Sequence, residues 1–575
     1  MVHVSVVAPC RQGASSVSVG RGDGHHRLLR YAEHTLVTDA QTRDAVHSRW
    51  AVLALALALL NASLTMANIW PTPFVRLSGD LSLELAACVL ALVLLRRQVA
   101  AHERLVLRGL GGAWVLLMLG RYAAVTSQSL WGRDINLYWD MPHVPAVGAM
   151  LSFVATPRVI ASVVGALVVV PVAFYVPLRW SLGRVVEATA DVRLRRALVV
   201  LSMGVACLGA AQRFDEDLPR WPGVAMPVTV VWAQQARQFA YEVSGAGLRD
   251  LGPAPVVSSN LAQVRGADVF LIFVESYGAV SWDRPAFAGS LAASRAQLST
   301  DIVESGRQVV SAYVESPTFG GESWLAHTSL LSGTEVRDGA GHARLVAQQR
   351  DTMVAPFAAQ GYRTVAIMPG IQSGWPEGKF FGFDTIYGAP ELDYKGPSFG
   401  WWDLTDQFCL ARVDALEVAP SSRPPVFVVF PTISTHTPFT PTPPYQPDWA
   451  RALTPEPYDA QTLQEAWDVP ADWLDLGPGY VRALAYAYAT FGGYLRFRAD
   501  RDVVMILIGD HQPPAMVSGE GAPWDVPVHV IASRRAVLDR LVERGFTEGL
   551  TPRRPSLSKM HALMPVLLDA FGDGR

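Results

Sequence analysis

The stretch VMILIGDHQPP, Val504–Pro514, decides how the second half of this chain folds. Five apolar residues lead into a glycine, and then an aspartate and a histidine stand side by side. A run that is apolar at every position, rather than at alternate ones, suits a strand of a parallel sheet covered on both faces. Similar runs are VFLIFVES (Val269–Ser276), PVFVVFPTISTH (Pro425–His436) and the shorter RTVAIMPG (Arg363–Gly370). Helical stretches at 291–305, 352–360, 405–417 and 480–499 lie between them. Strand alternating with helix implies an α/β sandwich with a mostly parallel central sheet over 261–575. The three longest runs end in polar groups: Glu275, His436, and Asp510-His511. Ligands of open α/β sheets bind beyond the carboxyl ends of the strands. Distant parts of the chain can thus deliver a carboxylate, a histidine and an Asp-His pair to one place.

Between the first and later strands lies SPTFGGESWLAHTSLLSGTEV, Ser316–Val336. Phe319-Gly320-Gly321 forms a turn, and Ser323–Leu331 reads as a helix. A hydroxyl at a helix N-terminus sits where backbone N–H groups and the dipole favour negative charge, a good place from which to attack phosphorus. The local pattern fits a simple N-cap serine as well.

The first half has a different character. Half of the 575 residues are apolar and only 17% are charged, which points to chain in lipid. A net charge of −3 shows no bias toward nucleic acid. Residues 1–46 read as a disordered cytoplasmic leader. Apolar runs follow at roughly 50–69, 80–95, 105–124, 159–178 and 197–212. A spanning helix needs about 20 apolar residues, so 47–212 is expected to form a transmembrane bundle of about five helices. Arginines cluster between runs two and three (Arg96, Arg97, Arg104, Arg108) and between runs four and five (Arg179, Arg184, Arg193, Arg195, Arg196), which places those loops in the cytoplasm. Residues 213–260 then read as a linker, and 261–575 as an extracytoplasmic domain. The outer loop LWGRDINLYWDMPHVP, Leu130–Pro145, suits an interfacial segment, with contact to a lipid headgroup as the alternative.

Over roughly 265–570, the motifs SWLAHTSLLSG and GDHQPP resemble the alkaline phosphatase/sulfatase superfamily. The multi-span anchor resembles its membrane-bound branch of phosphoethanolamine transferases and lipoteichoic acid synthases. That resemblance implies that Glu275, Asp510 and His511 are metal ligands, and that Ser323 is the nucleophile and also faces the metal. His436 then matches a contact to the substrate phosphate or leaving group, and Trp375 and Lys379 match headgroup contacts. One divalent cation is implied, Mn²⁺ or Zn²⁺ ahead of Mg²⁺.

The implied activity is transfer of phosphoethanolamine or phosphoglycerol from a membrane phospholipid to an envelope glycan or lipid, through a phospho-serine. The alternative is a membrane-anchored phosphatase, phosphodiesterase or sulfatase-like hydrolase. The implied location is a bacterial-type inner membrane, with no nucleic-acid partner.

The chain departs from the pattern in several places. Leu325 and His327 stand where formylglycine sulfatases carry Pro and Arg, which argues for an unmodified hydroxyl. Membrane-bound relatives usually carry Thr where Ser323 stands, so Thr318 is an alternative nucleophile. His327 is assigned no chemistry. His529, in VPVHVIA, lies on a late strand and reads as packing. Cys409 is the only cysteine after residue 212, so the disulfides common in phosphoethanolamine transferases cannot form there.

Overall fold

The computed structural model describes residues 47–145, 148–149, 157–215, 222–244, 251, 253–400 and 402–573. The expected leader, 1–46, lies outside them. The chain divides into two compact units. One comprises Met1–Ser63, Leu85–Trp114 and Ala173–Leu218; the other comprises Leu64–Glu84, Val115–Val172 and Pro219–Arg575.

Among the described residues, four helices are long and apolar enough to cross a membrane: His47–Thr65, Glu103–Trp131, Ile160–Ala190 and Val192–Phe214. The run at 80–95, expected to be a fifth span, forms only the 12-residue helix Leu83–Leu94. At 1.5 Å per residue that is about 18 Å, short of a hydrocarbon core of about 30 Å. The arginine-rich loop expected between the last two runs is also absent. Arg179 and Arg184 lie on the helix Pro157–Ala190, and Asp191 alone joins it to Val192–Phe214. The Asp191 carboxylate caps the second helix, accepting from Arg193 N at 2.7 Å and Leu194 N at 3.1 Å. Part of the expected linker is the helix Val228–Val243.

Among the described residues the second unit holds a nine-stranded sheet. Its strands are β1 (Asp268–Val274), β2 (Gln308–Glu315), β3 (Arg363–Met368), β4 (Thr385–Gly388), β5 (Val426–Pro431), β6 (Val503–Gly509), β7 (Asp525–Ala532), β8 (Thr547–Glu548) and β9 (Ser558–Lys559). The order is β8-β2-β7-β6-β1-β5-β3-β4, with β9 beside β2. From β4 to β6 every pairing is parallel, and β7 runs antiparallel to β6 and β2.

Both faces are covered, which explains the unbroken apolar runs. Phe270, Ile272 and Val274 of β1 enter one core with Leu298 and Tyr480 from the helices Ala292–Glu304 and Gly477–Phe497. Val269, Leu271 and Phe273 enter the opposite core with Leu541 and Leu567 from Arg535–Glu543 and Leu563–Phe571. Successive side chains of a strand alternate between the two layers. β2 (QVVSAYVE) has no unbroken run, because Gln308 is exposed and Ser311 is polar, and the sequence pattern did not mark it.

Candidate metal and phosphoryl-transfer site

The site begins with strand register. Val274 of β1 pairs with Gly509 of β6, so Glu275 and Asp510 leave the sheet side by side. Gly509 is needed at this point. A Cβ there would stand 1.9 Å from the Tyr277 carbonyl oxygen, so only glycine lets the two strand ends approach. β5 ends beside them: Phe273 pairs with Pro431, and Thr432 Oγ1 accepts from Glu275 N at 3.0 Å. Asp510 Oδ1 accepts from Ser276 N at 2.8 Å and from His511 N at 2.7 Å. His511 is oriented by Nδ1, 2.7 Å from the Gln512 carbonyl, which leaves Nε2 facing the cluster.

Ser323 opens the helix Ser323–Ser332, but it is not the cap. The capping position is Glu322, which sits in the left-handed region at φ 60° and makes no side-chain cap bond. The Ser323 hydroxyl instead donates to Glu275 Oε2 at 2.8 Å and lies 3.0 Å from His511 Nε2. Thr318 has a different partner: its hydroxyl donates to Gly321 O at 2.6 Å and closes the turn.

Potential ligand atoms of Glu275, Asp510 and His511 all lie within 4.8 Å of one another, and the three residues are buried. Burial works against charge at Glu275, yet His511 and His436 nearby hold its carboxyl down at about 2. Burial, reinforced by the Glu275 charge, pushes the Asp510 carboxyl well above its usual range. Burial also lowers His511. Two buried carboxylates at this spacing repel when both are ionised, and a shared cation removes that conflict. Asp510 Oδ2 fits the same requirement, being buried without a hydrogen-bond partner. Oxygen and imidazole donors in this number suit a divalent metal.

Other expected site residues are placed as follows. His436 is half-buried after β5, with Nδ1 2.7 Å from Thr437 O and its ring 5.9 Å from that of Trp402. It follows the C-terminal end of β5, which lies beside that of β1. Trp375 stacks on Phe381 at 5.4 Å, and Lys379 is exposed on the short helix Gly378–Phe381.

Sequence reasoning missed two features. His327, one turn after Ser323 on the same helix face, reaches within 4.0 Å of Asp510 Oδ2. The Ser-x-x-x-His spacing was the available signal. The segment after Trp131 also packs on the nucleophile turn. A Cβ on Gly320 would lie 2.3 Å from Trp131 O, and one on Gly132 would lie 2.4 Å from the Phe319 ring. Arg133 pairs with Asp140 at 2.7 Å and reaches Glu322 at 3.6 Å. This segment therefore contacts protein here, beside Ser323.

Residues 325–527 match the Sulfatase family model. That match carries GDHQPP and all of SWLAHTSLLSG but its first two residues, and it supports the resemblance to the alkaline phosphatase/sulfatase superfamily. No curated protein matches the chain.

Solved structures similar to it include the following three. An alkaline phosphatase superfamily protein from Vibrio parahaemolyticus is 20% identical, covering 56% of this chain and 71% of its own, with a TM-score of 0.35. The lipooligosaccharide phosphoethanolamine transferase EptA from Neisseria meningitidis is 12% identical, covering 81% and 85%, with a TM-score of 0.42. The lipoteichoic acid synthase LtaP from Listeria monocytogenes is 14% identical, covering 48% and 68%, with a TM-score of 0.33. With TM-scores below 0.5, none of these superpositions assigns an activity to this chain.

Proposed function

We propose that this protein is a membrane-anchored, metal-dependent phosphotransferase. It moves a phosphoethanolamine or phosphoglycerol group from a membrane phospholipid to a hydroxyl of an envelope glycan or lipid. The single observation that carries the reading is the Ser323 hydroxyl, 2.8 Å from Glu275 and 3.0 Å from His511, beside an unpartnered Asp510 oxygen. An alcohol in that position is a nucleophile in wait, not a cap.

Glu275, Asp510, His511 and the Ser323 oxygen would hold the cation, Mn²⁺ or Zn²⁺ ahead of Mg²⁺. When bound it supplies a lowered serine pKa and a polarised phosphoryl oxygen. Ser323 Oγ forms a bond to phosphorus, and the bond from phosphorus to the diacylglycerol oxygen breaks. His436 donates a proton to the departing oxygen. The acceptor hydroxyl then attacks phosphorus and gives its proton to His436, the bond to Ser323 breaks, and the serine is restored. Trp375 and Lys379 are assigned to the headgroup, Lys379 as a donor to a phosphate oxygen.

The domain plan belongs to the same proposal: a transmembrane region over 47–212, a linker over 213–260 and a catalytic domain over 261–575 on the outer face of a bacterial-type inner membrane. Anchoring keeps the site near its donor lipid and raises the effective concentration.

The test is incubation of the full chain with phosphatidylethanolamine or phosphatidylglycerol labelled in the headgroup. Label on Ser323 by mass spectrometry, then on an envelope acceptor, is the expected result. Label released only to water would instead favour the hydrolase reading, and Ser323→Ala with full turnover would rule out the serine mechanism.

A further inference from the structure

A polar cavity of about 1040 Å³ lies in the second unit and shares no described lining residue with the carboxylate-histidine cluster. The helix Val228–Val243 and residues 134–136 line one side of it, and the segment 333–344 lines most of the rest. Two parts of the chain tie it to Ser323. Gly333 caps the helix Ser323–Ser332 and is itself a lining residue. That helix has 10 residues, which at 1.5 Å each span about 15 Å. The segment after Trp131 leads to the same place. Arg133 reaches Glu322 at 3.6 Å, and the next residues, Asp134, Ile135 and Asn136, line the cavity.

Arg344, on the cavity wall, has unmet donors. Its Nε and Nη2 are shielded from solvent and have no hydrogen-bond partner among the described residues. A charged donor left dry and unmet is costly, so the position calls for an acceptor. That acceptor need not be an anion. Arginines and carboxylates line the cavity in nearly equal number, and Arg337 is already paired with Glu315 and Glu335. Side-chain amides line it as well: Asn136, Gln234, Gln235 and Gln238. Guanidinium groups only donate, carboxylates only accept, and amides do both. A hydroxyl also does both, so a ligand rich in hydroxyls can meet all three kinds of group. Tyr241 adds an exposed ring that can cover the apolar face of a sugar. The volume stands at the upper end for small-molecule sites, roughly 300–1,000 Å³, with room for more than one sugar unit.

We propose that this cavity seats sugar units of the acceptor glycan, with Arg344 donating to sugar oxygens and the amides pairing with hydroxyls. The inference rests on the phosphotransferase reading above and gives its acceptor a place on the protein. A glycan held here and extending about 15 Å along the nucleophile helix brings a further hydroxyl to Ser323.

The test is binding of the full chain in detergent to an array of hexose and N-acetylhexosamine oligosaccharides, and to the same sugars carried on diacylglycerol in nanodiscs. Wild type is expected to bind members of the set. Arg344→Met keeps most of the side-chain length without a donor, and should lower that affinity by roughly 10-fold or more, as for loss of a hydrogen bond to a charged group. Thermal melting checks folding, and Gln238→Ala, at an exposed position, gives a second readout if Arg344→Met is not folded. Binding of the free oligosaccharides assigns the cavity to the glycan itself; binding confined to the lipid-carried forms assigns it to a glycolipid headgroup. No binding by wild type, or equal binding by wild type and both variants, would overturn the inference. Labelling of Ser323 by donor lipid tests the underlying reading separately. A wild type that binds sugars through Arg344 but never labels Ser323 would overturn the phosphotransferase reading, and with it the cavity's role as acceptor site.

Discussion

Val274 pairs with Gly509 across two parallel strands, and this register brings Glu275 and Asp510 to the same edge of the sheet. The two carboxylates are 235 residues apart in the chain, and no local interaction holds them together. The register tolerates no side chain at 509, where a Cβ would meet the Tyr277 carbonyl at 1.9 Å. Gly509→Ala should therefore force the strand ends apart. The expected cost is about 1–3 kcal/mol of stability, as for other overpacked interiors. Zn²⁺ affinity should fall with it, and denaturant titration with and without Zn²⁺ reads both. A variant as stable as wild type would show that the strand ends can separate freely.

Two hydroxyls lie close in sequence, and the structure gives them different partners. Thr318 closes the turn by donating to Gly321 O, while Ser323 reaches Glu275 and His511. Thr318→Val should lose about 1 kcal/mol of stability, the ordinary net worth of one hydrogen bond, and should still form the phospho-enzyme. Ser323→Ala should keep its stability and form none. Mass spectrometry after brief exposure to donor lipid distinguishes the two, and a phospho-enzyme on Ser323→Ala would move the nucleophile to Thr318.

Why some of this was legible in the sequence, and some was not, follows from the range of the forces involved. The runs at β1, β5 and β6 stand out because both faces of the sheet are covered, so every residue must be apolar. Their polar ends, Glu275, His436 and Asp510-His511, stand out against those runs for the same reason. β2 is hidden because its exposed end and polar Ser311 break the pattern. His327 reads as an ordinary helix residue until the helix is set against Phe273 and Asp510. Trp131 and Arg133 read as interfacial, since an aromatic-rich loop after a long apolar run is compatible with lipid contact. Their packing on residues 319–322 depends on tertiary contact, of which local composition holds no record. The short helix Leu83–Leu94 misled for a simpler reason: an apolar run of spanning composition need not be helical along its whole length.

Arg133 provides a third test. It is bonded to Asp140 through two nitrogens and lies 3.6 Å from Glu322, the residue in the left-handed region just before Ser323. A non-glycine residue in that region costs on the order of 1–3 kcal/mol and persists only where its surroundings hold it. Arg133→Ala should release Glu322 and loosen the start of the nucleophile helix. The expected effect is a fall in kcat of roughly tenfold, about 1.4 kcal/mol in the barrier, with KM little changed. Equal losses in variants that keep this pair, such as Arg133→Lys, would indicate a need for the planar guanidinium rather than for charge. A fall confined to KM would assign Arg133 to donor binding instead.

His529 sits within the sheet on β7, and its behaviour with pH can be worked out. Its ring nitrogens lie 2.9 Å from Tyr277 Oη and 2.7 Å from Ser311 Oγ. Trp282 and Arg295 are the other groups that face it. Burial, and then the charge of Arg295, lower its pKa from 6.5 to about 3. Between those two values the unfolded chain takes up a proton that the folded chain refuses. Stability from this group is therefore complete above about pH 6.5 and is lost as pH falls toward 3. At about 1.4 kcal/mol per pH unit, the effect is large enough to read by thermal melting. His529→Gln can keep hydrogen bonds to both hydroxyls and does not titrate. It should melt below wild type at neutral pH, and the gap should narrow steadily as pH is lowered from 7 to 5. A constant gap across that range would mean that His529 does not carry this pH dependence.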